Sequence, residues 1–349
     1  MKKLVLFFFV SVVVISLHAQ FDAEKTPLIT QSLINDNIKN VFAETSGGNI
    51  TIVGVSAGEA KLEVYVVPNN YRKNPISEEE IRSRMKEYYE IKFWAGNNKL
   101  TATAKATERN MDWKKSLNFS YKIYVPKNVS VDLSTSGGNI NLTDISGHLE
   151  FSTSGGNLNL EKIGGNIKGT TSGGNINLED SKDTMNLETS GGNIHATRTN
   201  GKMKLITSGG SLILSNLNGD IDARTSGGNV NGSDISGDLD AHTSGGNVML
   251  NSLSCNLATS TSGGNIHIEL KELRQFVKAN NSGGYIDVII PANKGADLSL
   301  SGDKIKMDET ENFKGSIKSD EITGKLSGGG TSIKVDAGGG KVYLGFSKK

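Results

Sequence analysis

Residues 171–207 read TSGGNINLEDSKDTMNLETSGGNIHATRTNGKMKLIT, two windings of one pattern in which Thr-Ser-Gly-Gly-Asn-Ile returns after 18 residues. The same beat runs outward in both directions. Gly137, Gly155, Gly173, Gly191, Gly209, Gly227, Gly245 and Gly263 each open a Gly-Gly pair, and neighbouring pairs are 18 residues apart. Self-similarity at a fixed period identifies a repeat architecture, in which each unit buries its apolar face only against the next. A further copy lies upstream at Thr45–Ile50, and a degenerate one downstream at Asn281–Ile286, where the interval from Gly263 to Gly283 lengthens to 20.

Counting each winding from its first glycine, position 4 is Ile140, Leu158, Ile176, Ile194, Leu212, Val230, Val248 and Ile266, apolar without exception. Positions 6, 13 and 15 are mostly apolar as well, as in Leu142, Leu149 and Phe151, while Asn141 and Glu150 fall between them. Alternation of period two marks a strand with one buried face. Each winding is therefore expected to hold two short strands. Stacking in register on the next winding makes the chain all-β, a parallel β-solenoid (β-helix) with 18-residue coils. Glycines at positions 1, 2 and often 11 are expected to supply positive φ at corners, and Cys255, which takes position 11 of its coil, is read as a small turn residue. Asn139, Asn157, Asn175, Asn193, Asn229, Asn247 and Asn265 at position 3, with Ser211 as the exception, and the threonines from Thr135 to Thr261 at position 17 are read as a structural turn ladder. In it, stacked amides and hydroxyls bond to their counterparts above and below.

The flanks differ. Residues 1–19 combine Lys2 and Lys3, an apolar run from Leu4 to Leu17 broken by Ser11 and Ser16, and Ala19-Gln20 as a cleavage site, the pattern of a secretory signal. Residues 20–134 carry the isolated first coil and a capping block with both tryptophans, Trp94 and Trp113, and a helix at about 77–90. That helix is signalled by Ser77 with Glu80 as a capping box and by Ile81, Met85 and Tyr88 on one face. Strands are expected at Lys61–Val67, Leu100–Ala106 and Ser116–Val125. Residues 135–290 form the regular solenoid. Residues 291–349 are irregular coils and a cap, with strands near Ser332–Asp336 and Lys341–Phe346 closing the far end.

Without Lys2 and Lys3 the chain has 36 basic and 37 acidic side chains, which gives no field to gather nucleic acid. After the signal no apolar run approaches the roughly 18 residues of a spanning helix. Cys255 is the only cysteine, so no intrachain disulfide is available. No cofactor is expected. Calcium-binding nonapeptide repeats need Asp where Leu142 stands, and the stripes do not fit the hexapeptide helix of acyltransferases. The strongest concentration of ionisable groups is Asp220, Asp222, Asp234, Asp238, Asp240 and His242. Stacked carboxylates repel unless compensated. Lys202, Lys204 and Arg224 offer that compensation, which favours a solvated charge ladder over a cation- or sugar-binding patch or a catalytic cluster. His148, His195 and His267 stand apart in other coils, without zinc-site spacing.

The strand ending in Val125-Pro126-Lys127, the Val129-Ser130-Val131 strand and the serial Ser-Gly-Gly-Asn-Ile turns behind a signal sequence together resemble the bacterial family of β-strand-repeat proteins catalogued as putative adhesins. The resemblance covers Val41 to Phe346. It implies a stacked solenoid of the cell envelope and brings no ligand, activity or catalytic residue with it. The expected function is that of a non-enzymatic, exported protein of the periplasm, outer membrane or cell surface. It would act as an adhesin-like binder of a glycan or protein, or as a scaffold, through flat polar faces. The alternative is a polysaccharide-degrading β-helix enzyme using the Asp220 to Asp240 patch.

Overall fold

The computed structural model describes residues 26–69, 76–108, 111–292 and 294–347. The expected signal segment, 1–19, lies outside them. The chain is all-β with a long, mostly parallel sheet system of 28 strands and a single α-helix among the described residues, wound in a solenoid-like manner. Parallel partners sit one period apart on two ribbons. On the first, Ile140 pairs with Leu158, Leu158 with Ile176, Ile176 with Ile194, and the series continues through Leu212, Val230 and Val248 to Ile266. On the second, Leu149, Ile167, Met185, Met203, Ile221, Leu239 and Leu257 form the matching column. All of these side chains are buried. Where one column varies in size its neighbour compensates: a Cβ on Gly169 would come within 2.3 Å of the Phe151 ring stacked against it.

The turns follow different rules from those expected. Position 8 makes a corner in every coil from Gly137 to Gly245, with Asp144, Lys162, Asp180, Arg198, Asn216, Asp234 and Ser252 in the left-handed region at φ between 48° and 58°. In three coils this corner does not interrupt the strand, so one 14-residue strand replaces two: Leu212–Thr225, Val230–Thr243 and Val248–Thr261. At position 11, Gly147, Gly165, Gly201, Gly219 and Gly237 do take positive φ. The Gly-Gly pairs do not. The second glycine of each pair is required by closeness instead, because a Cβ on Gly156, Gly174 or Gly192 would lie 1.9 Å from the carbonyl oxygen of the glycine one winding below. Cys255 is no turn residue. It points into the core between Leu253 and Leu257, fully buried.

The ladders bond side chain to backbone more than side chain to side chain. Each position-17 hydroxyl ties two windings: Thr189 Oγ1 donates to the Gly174 carbonyl at 2.8 Å and accepts from the Gly192 N–H at 3.2 Å. The Asn175 carboxamide oxygen accepts from the backbone N–H of Asn193 at 2.8 Å, and Ser211 keeps the series by accepting from the Asn229 N–H at 3.1 Å. Amide-to-amide stacking occurs two residues further on, where Asn159 donates to Asn141 at 2.7 Å and Asn177 to Asn159 at 2.8 Å.

Both ends are closed by inserted segments folded outside the last full coil. Asn40–Thr45 and Ile50–Val55 stack on Ser130–Thr135 and Ile140–Thr143, about 90 residues away in sequence. The intervening chain then returns to the outer side. Lys99–Ala106 lies parallel to Asn40–Thr45 and Leu117–Pro126 parallel to Ile50–Val55, and both receive antiparallel partners in Tyr89–Gly96 and Lys61–Pro68. The helix runs Glu78–Tyr88, with the Ser77 hydroxyl accepting from the Glu80 N–H at 3.2 Å, and buries Ile81 and Met85. Tyr89 leaves the helical path because its alternation with Ile91 and Phe93 belongs to a strand, which ends the helix short of residue 90. At the other end, Thr331–Asp336 and Lys341–Ser347 do not close the solenoid. They stack directly on Phe276–Asn281 and Tyr285–Pro291. Ala296–Ser301 and Lys304–Met307 lie outside them, and the hairpin of Phe313–Ile317 and Glu321–Leu326 extends the layer beyond Ala296–Ser301. An exposed apolar cross-section is unfavourable, and folding an insertion outward covers it while moving the open sheet edge to outer strands such as Tyr89–Gly96.

Candidate functional site

The outward positions of the second ribbon place the acidic residues on adjacent rungs. Asp220 is the partner of Asp238, Asp222 of Asp240, and Arg224 of His242. Strand spacing of about 4.8 Å would set bare carboxylates against each other. Cations and amides intervene. Lys202 Nζ lies 2.9 Å from Asp220, and this hydrogen bond holds the lysine ammonium above its ordinary pKa. Arg224 bridges two windings, with Nε 2.5 Å from Asp222 Oδ1 and Nη2 2.6 Å from Asp240 Oδ2. His242 contacts the other Asp240 oxygen through Nε2 and the Ser260 hydroxyl through Nδ1 at 2.6 Å. Asp238 accepts from the Asn256 amide at 2.7 Å.

Asp234 is not part of this group. As the position-8 corner of its coil, it turns to Lys271 at 2.6 Å. The sequence thus names six residues, of which the fold brings five onto one flat ribbon. Among the described residues, no three His, Cys, Asp or Glu side chains converge as metal ligands. The other histidines among the described residues are dispersed. His148 and His195 are exposed on separate rungs, and His267 pairs with Asp287 at 2.8 Å. Burial pushes the Cys255 thiol up to about 12, which disfavours the thiolate at neutral pH.

Two depressions lie on the amino-terminal cap. One shallow depression of about 460 Å³ is bordered by Thr30, Ile34, Glu59, Lys61 and Tyr124. Another, of about 280 Å³, is bordered by Asn40, Phe42, Lys99, Ser130, Asp132 and His148. Trp94 is exposed beside the second, on the neighbouring rungs. Neither depression includes the acidic rungs. The sequence reading places Trp94 in the capping block without a role and does not single out Phe42; each sits at an outward position of an alternating strand.

No family model matches this chain, and no curated protein does. Among solved structures it is similar to a putative cell adhesion protein from Clostridium sporogenes, at 11% identity over 91% of this chain and 98% of the other, with a TM-score of 0.19. It is also similar to a putative adhesin from Bacteroides fragilis, at 12% identity over 90% of this chain and 96% of the other, with a TM-score of 0.29. TM-scores of this size do not establish a common fold, and neither description carries over to this chain. No helix among the described residues is long and apolar enough to cross a membrane.

Proposed function

We propose that this chain is a non-enzymatic, exported protein of the cell envelope, an adhesin-like binder of a glycan or protein or a scaffold. The observation that carries the reading is the pairing of the acidic rungs. Asp220, Asp222, Asp238 and Asp240, the best candidates for chemistry, are each held by a cation or an amide on a flat ribbon. A general acid and base need convergent, unencumbered groups around a space that a substrate can enter. A rod of uniform windings with both ends capped instead offers a long rigid surface for contact.

Arrays of glycans and matrix proteins probed with residues 20–349 test the binding reading, which requires saturable retention on at least one array. Silence on both removes adhesion and leaves the scaffold. Protease shaving of intact cells then separates a surface location from a periplasmic one. Release of products from acidic polysaccharides, abolished by Asp222→Ala with Asp240→Ala, would establish the enzyme instead.

A further inference from the structure

Four partner rungs on the second ribbon of the amino-terminal cap bring two aromatic side chains onto one outward row. Trp94 pairs with Thr101, Thr101 with Phe42, and Phe42 with Asp132. In the adjoining row Gly96, Lys99, Asn40 and Ser130 follow one another in the same order. The Trp94 ring does not stand off the sheet. It lies against Gly96, where an added Cβ would sit 2.8 Å from Cζ2 and 3.3 Å from both Cε2 and Cη2. Glycine at 96 therefore leaves the space in which the indole lies, and Trp94 as a residue is still 42% exposed. Thr101 also faces outward yet is buried to 8%, as expected of a small residue flanked by Trp94 and Phe42. Lys99 Nζ lies 5.8 Å from the Phe42 ring centre, and the depression of about 280 Å³ opens beside it.

We infer that this surface is a docking site for a neutral oligosaccharide, with Trp94 and Phe42 as two stacking platforms for sugar rings. The inference rests on the binding reading above and names its place and ligand. An aromatic face carries partial negative charge that attracts the C–H groups of a pyranose; the Trp94 ring, laid along the sheet, presents its face, and Phe42, half-buried with Lys99 over its ring, presents the part of the ring that stays open. Two inter-strand steps separate the platforms by about 10 Å, the span of a disaccharide. Asn40, Ser130 and Asp132 supply amide, hydroxyl and carboxylate partners for sugar hydroxyls along the rim. Lys99 on one side and Asp132 on the other balance their charges, which favours a neutral ligand over an anionic one. The other occupant such a face could take is a second copy of the chain, added along the edge of Tyr89–Gly96. Glu90 and Lys92 point outward on that strand, and charges there disfavour edge-to-edge pairing.

Because the sequence has two tryptophans, Trp113→Phe makes the fluorescence of the chain a report on Trp94 alone. Titration of that variant with cellohexaose, chitohexaose, maltohexaose, xylohexaose and mannohexaose, each to about 10 mM, should give a saturable change in Trp94 emission with at least one. Calorimetry with that glycan should show affinity reduced about tenfold or more by Trp94→Ala and by Phe42→Ala. Gly96→Ala should reduce it as well, since it keeps the indole but displaces it, at little risk to the fold because the clashing atoms end a movable side chain. Asp222→Ala should leave it unchanged. Urea midpoints equal to that of the parent show that each variant is folded. The inference is overturned if no glycan changes Trp94 emission, if the three cap variants bind like the parent, or if emission responds only to protein concentration, as self-association would cause. Glycan binding on the arrays with a silent Trp94 rejects this site and keeps the binding reading, whereas silent arrays reject both.

Discussion

Alanine at Gly192 should destabilise the protein far more than alanine at Gly191, although the two glycines form one pair. A Cβ on Gly192 would lie 1.9 Å from the Gly174 oxygen, 2.4 Å from its carbonyl carbon and 2.8 Å from the Asn175 nitrogen. Bringing the first contact to 3.0 Å requires the windings to part by about 1.1 Å. Three bonds cross that gap and would be stretched past hydrogen-bond length: Thr189 Oγ1 to the Gly174 oxygen at 2.8 Å, the Asn193 N–H to Asn175 Oδ1 at 2.8 Å, and the Gly191 N–H to the Ser172 oxygen at 2.8 Å. At roughly 0.5–1.5 kcal/mol each, with a buried carbonyl left unsatisfied, the loss is about 2–5 kcal/mol. A Cβ on Gly191 meets nothing nearer than 3.6 Å. Its φ lies outside the left-handed region, so alanine there should be neutral or stabilise by about 0.4–1 kcal/mol through the unfolded chain. Urea unfolding followed by β-sheet circular dichroism separates the two. With a slope of about 1–3 kcal/mol per molar, the Gly192→Ala midpoint should fall by roughly 1 M or more, and that of Gly191→Ala should hold or rise. Equal shifts would refute the claim that close approach, and not a turn conformation, selects the second glycine.

Thr189→Val keeps the shape of a buried rung but strands the Gly174 carbonyl and the Gly192 N–H. It should cost about 2–4 kcal/mol in urea unfolding, with Thr189→Ser recovering most of that loss. Because burial raises the Cys255 thiol to about 12 from an unfolded value near 9.0, its contribution to stability is complete below pH 9 and is lost as pH climbs toward 12. Cys255→Ala should therefore flatten the fall in urea midpoint across that window, and a thiol reagent at pH 8 should label the parent only after unfolding. Arg224→Ala removes two exposed ion pairs and should cost no more than about 1 kcal/mol, less in 1 M salt. A loss several times larger in chemical denaturation would mean that the acidic rungs depend on that one guanidinium.

Local patterning alone determines the winding and its register in this chain. Inward aliphatics such as Ile176 and Ile194 recur at one period, and a slip by a single residue would turn every one of them to solvent, so the pairing of Ile176 with Ile194 is legible from the letters. The compensation of the acidic rungs was partly legible too, since Lys202 and Arg224 fall near the aspartates in the repeat frame. The fold decided that Arg224 spans Asp222 and Asp240 and that Asp234 turns to Lys271. It also decided that the glycine pair answers to crowding while Asp180 or Asn216 makes the corner, because a sequence displays φ preference but not the distance to the next winding. Alternation tells which face of Lys99–Ala106 or Thr331–Asp336 is buried, but not which edge of the sheet either strand joins. That choice follows from the need to cover the apolar cross-section at each end. The same return of the chain lays Trp94 and Phe42, 52 residues apart in sequence, along a single outward row.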